Sequence, residues 1–290
     1  MRRVLVGIDG SEESVSAAMW AATEAVLRDA PLWVVAASGA ATSADWAMVR
    51  SVVEECRRSH PGMDVTEEVL AGFAPDALIR QSADAQLLVV GSRGRGAVAE
   101  TLLGSVSRAV AERASCPVVV VPRHRTSFAF GPVVLGVAGC AEKDGAVQFA
   151  FAEAVIRQTS LLAVHVWPPI LGRHQQPEPP SPSTVDKMRD DLAASLADWS
   201  TKYPAVPLAV DVRYGDPAGE LSRASASAQM LVLGHRSTAL GFGTVAHGTL
   251  HHADCPVAVV GETHHGEDLA FPEGRAADEP RNRGEREASS

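Results

Sequence analysis

The sequence predicts an α/β protein built from two tandem, doubly wound domains, each with a five-stranded parallel sheet. Three observations lead to this fold class. The chain has 290 residues, about twice the length of a typical single domain. It contains an internal repeat, and each copy alternates short apolar runs with amphipathic stretches of helical length.

The internal repeat is visible in four blocks of similar sequence that occur in the same order in both halves. The paired blocks are residues 4–10 (VLVGIDG) with 133–139 (VVLGVAG), 24–28 (EAVLR) with 153–157 (EAVIR), 82–91 (SADAQLLVVG) with 225–234 (SASAQMLVLG), and 114–118 (ASCPV) with 253–257 (ADCPV). We therefore interpret the chain as two copies of one unit.

The first copy shows the element order most clearly. Its apolar runs predict strands near 3–9, 32–37, 64–70, 86–91 and 117–121, and the stretches between them predict helices near 12–29, 44–59, 75–84 and 103–114. The runs at 87–90 and 118–121 are apolar on both faces, as strands covered by helices on both sides require. Right-handed crossovers then place a ligand crevice at the carboxyl ends of the strands, where the winding reverses.

Composition shifts mark the predicted boundaries. We expect a first domain at 1–123, a second domain at 131–261 and a disordered charged tail at 262–290, which lacks apolar periodicity. The segment 123–132 is polar at first, ends in Gly-Pro and is predicted to be a linker. The segment 168–183 holds six prolines and is predicted to be a surface loop of the second domain.

Charge and cysteine content exclude several function classes. The formal charge is −9, which repels a nucleic-acid backbone. No apolar run reaches the ~18 to 20 residues that span a bilayer, so we expect neither a membrane segment nor a signal peptide. The four cysteines show no CxxC spacing and are too few to staple such a chain, so we expect a cytoplasmic protein.

The strongest chemical signal follows the fourth predicted strand. Gly91-Ser92-Arg93-Gly94 is separated by nine residues from the Gly104-Ser105 pair that begins a helix. Glycines after a strand let backbone N–H groups approach an anion, and a helix N-terminus adds unpaired donors and the positive end of its dipole. Asp9 ends the first strand, where its carboxylate can accept from ribose hydroxyls. A phosphate-bearing ligand fits this pattern, although a glycine turn after a strand also occurs for structural reasons alone.

Two other phosphate motifs do not apply. Gly94, Gly96 and Ala99 mimic a dinucleotide fingerprint, but that fingerprint belongs to the first βα turn. The chain has no Gly-Lys-Ser/Thr, which excludes a Walker-type loop.

The spacing G-x2-G-x9-G-S resembles that of the universal stress protein family in its tandem-domain actinobacterial form. The resemblance includes Gly-Ile-Asp-Gly-Ser at the first strand and Cys-Pro-Val-Val-Val at the last. The resemblance covers about residues 2–261. It implies an adenine nucleotide alpha hydrolase-like, Rossmann-like fold and the ATP-binding branch of the family, with ATP held with or without Mg²⁺. The nucleotide-binding residues that it implies are Asp9, Gly91, Gly94, Gly104, Ser105 and Ser107, with Ala37 and Val106 through their backbone. Arg93 lies inside the motif and is predicted either to contact phosphate or to be solvated.

The second copy departs from this pattern. Ala138 stands in place of Asp9, and Ser237 in place of Gly94. From Gly91 to Cys116 there are 25 positions, but from Gly234 to Cys255 there are 21, so the second loop is four residues shorter. Since a hydrogen bond to a charged group contributes ~1.5 to 3 kcal/mol, we predict one ATP per chain, in the first domain only.

Other reactive side chains have plainer interpretations. His247 and His251 share a helix face at metal-site spacing, but no Glu or Cys completes a motif, so we predict a solvated or interdomain face and no metal site. His264 and His265 belong to the predicted tail. Cys116 and Cys255 begin equivalent strands, where a buried thiol packs well. No residue is predicted to be catalytic.

The resemblance implies a cytoplasmic, nucleotide-dependent regulator of stress or dormancy that acts through an unidentified regulatory protein. A slow ATPase or phosphotransferase and a ligand-free interaction scaffold are the alternatives. The family also suggests pairing through the last strands, 118–121 and 257–260, which within one chain gives a pseudo-dimer. Association of two chains into a homodimer stays open.

Overall fold

The computed structural model describes residues 2–94, 103–122, 130–138, 145–169, 179–235 and 243–261. The strands of the first half are β1 (Arg3–Ile8), β2 (Leu32–Ser38), β3 (Val65–Ala71), β4 (Ala85–Gly91) and β5 (Val118–Val121). Its helices are α1 (Glu12–Leu27), α2 (Ser43–Ser59), α3 (Ala74–Gln81) and α4 (Ser105–Arg113), with a 3-10 turn at Ser82–Asp84.

The second half repeats this order. Its strands are β6 (Val133–Val137), β7 (Leu161–Trp167), β8 (Leu208–Tyr214), β9 (Met230–His235) and β10 (Val257–Gly261). Its helices are α5 (Gly145–Ile156), α6 (Pro182–Ser195), α7 (Ala197–Lys202), α8 (Pro217–Ser225) and α9 (Thr244–His252). Most of the predicted linker, the middle of the proline-rich loop and the whole predicted tail lie outside the described residues.

The predicted elements of the first half are confirmed, with small differences at two helices. The helix predicted to reach residue 84 ends as an α-helix at Gln81 and continues as the 3-10 turn. The helix predicted from residue 103 begins at Ser105, because Gly104 has an extended backbone (φ −68°, ψ 151°) and is the N-cap. This later start places the first free N–H groups of α4 directly after the glycine.

All ten strands form one sheet in the order β3-β2-β1-β4-β5-β10-β9-β6-β7-β8. The strands within each half are parallel, and β5 pairs with β10 in antiparallel fashion, with Val118 opposite Val259 and Val120 opposite Val257. The predicted intrachain pseudo-dimer is therefore confirmed. The pairing covers two apolar strand edges that would otherwise be exposed.

The core lies in two layers, one on each face of the sheet, as a doubly wound fold requires. One layer joins β1 to α1 and α2 and contains five alanines of α1 that are at most 1% exposed: Ala17, Ala18, Ala21, Ala22 and Ala25. The other layer joins the opposite face of β1 to α3 and α4. Small side chains let α1 pack close to the sheet, which brings its N-terminus to the end of β1.

A closed set of four buried charges joins the two halves. Arg28, the C-cap of α1, donates to Glu24 (Nη2 to Oε2, 3.2 Å) and to Glu153 of α5, and Arg157, which directly follows α5, donates to both carboxylates. All four side chains are at most 5% exposed. Burial alone would lower the pKa of Arg28, but Glu153 and Glu24 outweigh it and raise that pKa. We call these four residues the interhalf quartet, and they occupy equivalent positions of the repeat.

Candidate functional site

A cavity of about 660 Å³ opens at the carboxyl ends of β1 and β4. These strands are neighbours at the point where the winding of the first half reverses, as the sequence predicted. All nine residues that the sequence singled out as nucleotide-binding line this cavity: Asp9, Ala37, Gly91, Arg93, Gly94, Gly104, Ser105, Val106 and Ser107. Residues that are up to 98 positions apart in the chain thus share one space.

The turn after β1 fixes the carboxylate of Asp9. Ser11 donates to Asp9 Oδ1 from its backbone N (3.0 Å) and from its hydroxyl (2.6 Å). The side chain of Ser11 also accepts from the backbone N of Ser14 and so caps α1. Gly10 has φ +81°, a left-handed conformation that glycine adopts without strain, and its N–H donates to Ser14 Oγ (3.1 Å). Asp9 is therefore held by the same contacts that begin the helix.

The glycines of the motif are required by close approach. A Cβ at Gly94 would lie 2.3 Å from Asp9 Oδ2, so Gly94 permits the backbone after β4 to lie against the carboxylate. A Cβ at Gly91 would lie 2.9 Å from the backbone of Glu13, so Gly91 permits α1 to pack on β4. Gly94 thus allows the close approach within the site, and Gly91 allows the helix–strand packing beside it.

Backbone contacts bring the two parts of the motif together. The backbone N of Gly104 donates to Ser92 O (2.8 Å), and the Ser107 hydroxyl donates to Gly91 O (2.7 Å). Ser107 is 3% exposed and its hydroxyl proton is already used, so in this structure it links α4 to β4 and has no proton left for a ligand. Among the described residues no side chain caps the N-terminus of α4, whose first residues, Ser105 and Val106, line the cavity at the positive end of the helix dipole.

The structure adds cavity residues that the sequence analysis did not identify. The apolar wall is formed by Val35, Ala74, Leu78, Val90 and Leu103. On α4, Arg108, Ala109 and Glu112 also line the cavity. These three follow Ser105 by three, four and seven positions, which is the spacing of one helix face. That periodicity was the signal that could have identified them.

The second half has no carboxylate at the position of Asp9. Ala138 follows β6 there, as the sequence indicated. Val166 and Leu233 occupy positions equivalent to Ala37 and Val90, so larger side chains stand where the first half has its cavity wall. Ser237 and the shortened loop lie outside the described residues.

The histidines of α9 lie near the boundary between the halves. His247 and His251 are in contact through their Nε2 atoms (2.9 Å). Burial lowers the pKa of His251, and the charges of His247, His252 and Arg93 lower it further. Arg93 belongs to the first half, so the carboxyl end of α9 lies near the residues that follow β4. The described residues hold no group of three or more His, Cys, Asp or Glu side chains arranged for a metal ion, and His264 and His265 lie outside them.

The cysteines in the described part of the chain, Cys56, Cys116 and Cys255, are buried. Burial raises the pKa of the Cys116 thiol, and it raises that of Cys56 to about 11. Among the described helices, none has the length and apolar character to cross a membrane.

Comparison with known proteins identifies the family. A model of the universal stress protein family matches residues 1–122 and 129–261, one match for each half. The chain belongs to the universal stress protein family. A universal stress protein of Mycobacterium tuberculosis is 33% identical, with 88% of this chain and 96% of the relative covered. One of Mycolicibacterium smegmatis is 32% identical, with 89% and 96% covered.

Solved structures show the same fold. A universal stress protein from Archaeoglobus fulgidus matches with a TM-score of 0.62 at 17% identity, and the match covers 90% of this chain and 98% of that one. A structure described as a putative universal stress protein from Pseudomonas aeruginosa matches with a TM-score of 0.61 at 14% identity and covers 90% and 94%. The tandem arrangement of this universal stress protein is thus shared along almost the whole length of each match.

Proposed function

We propose that the first half of this universal stress protein binds ATP, with or without Mg²⁺, and that the protein is a cytoplasmic, nucleotide-dependent regulator of stress or dormancy. The observation that carries the proposal is the convergence of nine motif residues on one cavity. Its volume of about 660 Å³ lies within the ~300 to 1,000 Å³ of small-molecule sites.

Each part of the cavity suits one part of the nucleotide. The apolar wall that includes Val35 and Ala74 suits the base. The carboxylate of Asp9, oriented by Ser11, suits the ribose hydroxyls as an acceptor. The N-terminus of α4 supplies N–H donors and a positive dipole end for phosphate, and Arg93 adds a positive charge.

The two halves differ in the groups that a nucleotide needs. Ala138 has no acceptor for the ribose, and a hydrogen bond to a charged group is worth ~1.5 to 3 kcal/mol. This loss alone weakens binding about ten- to a hundredfold. We therefore propose one ATP per chain, with the second half serving as the structural partner of the first.

Calorimetric titration with ATP tests this proposal. The wild-type chain is expected to bind, and Asp9→Asn is expected to bind about ten- to a hundredfold more weakly. Asp84→Asn is the matched control, because Asp84 is exposed and lies at the amino end of β4, away from the cavity. No ATP binding by the wild-type chain, or equal weakening by both substitutions, would refute the proposal.

Release of ADP by the same preparation separates a regulator from the alternative of a slow ATPase. ATP that stays bound without product favours the regulator. Sustained release of ADP that Asp9→Asn abolishes favours the enzyme.

A further inference from the structure

Arg108 and Glu112 form an ion pair on the wall of the cavity. Both lie on α4, and Arg108 Nε donates to Glu112 Oε1 at 3.0 Å. The side chain of Arg108 is 57% exposed and that of Glu112 is 25% exposed. An ion pair in such contact with water is weak, so Arg108 can exchange its carboxylate partner for another anion at little cost.

The charges of the described cavity residues are balanced in this arrangement. Its charged side chains among the described lining residues are Asp9, Arg93, Arg108 and Glu112. Two are positive and two negative, whereas the triphosphate of a nucleotide carries several negative charges. While Arg108 stays with Glu112, Arg93 is the other arginine among the described lining residues, and a polyphosphate is repelled by both carboxylates. Transfer of Arg108 from Glu112 to phosphate removes this disadvantage.

The position of Arg108 indicates which phosphate it reaches. Ser107, one residue earlier on α4, is buried against β4, whereas Arg108 is exposed at the cavity opening. The α-phosphate adjoins the ribose, which the proposed function places at Asp9, a residue that is less exposed than Arg108. The phosphate that extends to the opening is then the last one of the chain.

We propose that Arg108 binds the terminal phosphate of a nucleoside triphosphate and that Glu112 holds Arg108 when this phosphate is absent. The inference rests on the proposed function and adds selectivity for the number of phosphates. A nucleoside monophosphate has no terminal phosphate that reaches Arg108. It leaves the Arg108–Glu112 pair intact and gains no binding free energy from Arg108. The second half carries His247 and His251 at the equivalent positions and thus has neither the guanidinium nor the carboxylate.

Titration of the full chain with ATP, ADP and AMP tests this selectivity. Arg108→Gln is expected to weaken ATP binding about tenfold or more, because it removes a hydrogen bond between two charged groups, and to leave AMP binding unchanged. Glu112→Gln is expected to strengthen ATP binding several-fold, because it removes a competing and repelling carboxylate. Arg113→Gln is the matched control, since Arg113 ends the same helix, is 53% exposed, contacts Asp76 (3.5 Å) and does not line the cavity.

The outcomes separate this inference from the proposed function. If Arg108→Gln weakens the binding of ATP and AMP equally, or weakens neither, the proposed role of Arg108 is wrong. The proposed function still holds in that case, provided that the wild-type chain binds ATP. Weaker ATP binding by Glu112→Gln overturns the role of Glu112 as a competitor. A wild-type chain that binds none of the three nucleotides overturns both proposals. Circular dichroism and thermal unfolding of each variant confirm that it is folded.

Discussion

The interhalf quartet makes a strong prediction about stability. Glu153 is fully buried and accepts from both Arg28 and Arg157. The substitution Glu153→Gln leaves two buried guanidinium groups with one carboxylate, Glu24. Removing one partner of a buried ion pair costs about 3 to 5 kcal/mol, a large part of the ~5 to 15 kcal/mol that stabilises a typical domain.

Urea unfolding followed by circular dichroism measures this loss. Glu55→Gln is the matched control, because Glu55 pairs with Arg58 (3.0 Å) on an exposed face of α2 and should change stability by less than about 1 kcal/mol. If Glu153→Gln is no more destabilising than Glu55→Gln, the quartet does not stabilise the fold as the structure indicates.

A charge exchange separates the contact between the halves from the pairs within each helix. In the double variant Glu153→Arg, Arg157→Glu, α5 keeps an internal pair, but arginine now faces Arg28 and glutamate faces Glu24. The same exchange made in α1 as well restores all opposite-charge contacts. We expect strong destabilisation in the double variant and substantial recovery in the fourfold variant. Absence of recovery would show that the contacts across the halves do not depend on charge.

Three further predictions concern other groups. Gly94→Ala should weaken ATP binding about tenfold, because its Cβ would lie 2.3 Å from Asp9 Oδ2 and must displace the carboxylate; unchanged affinity in calorimetry would contradict the assigned contact. Cys116 should resist iodoacetamide in the folded chain and react in urea, because burial raises the pKa of its thiol; peptide mass spectrometry measures this, and labelling of the folded chain would contradict it. Burial, together with neighbouring charges, lowers the pKa of His251 in the folded chain. The unfolded chain therefore binds more protons than the folded chain below about pH 6.5, and the free energy of unfolding decreases as the pH falls below that value. His251→Gln should reduce the drop in urea midpoint between pH 7.5 and 5.5, and an unchanged drop would assign the effect to other groups.

The positions of the strands along the chain were largely predictable because apolar runs in this sequence are short and sharply bounded. The run 118–121 is closed by Pro122 and has no polar side chain, which indicates a strand buried on both faces. All four of its residues are buried, and it forms one strand of the central antiparallel pair. Pairing between the two last strands was implied by the family resemblance, and the structure shows that it covers two apolar edges.

The interhalf quartet was not predictable in the same way. The sequence shows Glu24 and Arg28, and Glu153 and Arg157, at the i, i+4 spacing that is typical of solvated ion pairs on a helix surface. Their burial depends on how α1 and α5 approach each other across the joined sheet. That approach is a tertiary property, which local sequence patterns do not contain.

The candidate site was predictable as far as its motif extends. The glycine spacing located the loop and the start of α4, but it carries no information on the following turns of that helix, where Arg108 and Glu112 lie. It also did not indicate that the Ser107 hydroxyl contacts Gly91 O. Such details depend on side-chain directions, which a spaced motif leaves undetermined.

The most direct test of the account is a crystal structure of the full chain soaked with a non-hydrolysable ATP analogue. We expect density for one nucleotide, with its triphosphate at Gly94 and the N-terminus of α4 and its ribose at Asp9. We expect no nucleotide beside Ala138 in the second half. An empty first cavity, or a nucleotide bound in the second half alone, would contradict the central claim.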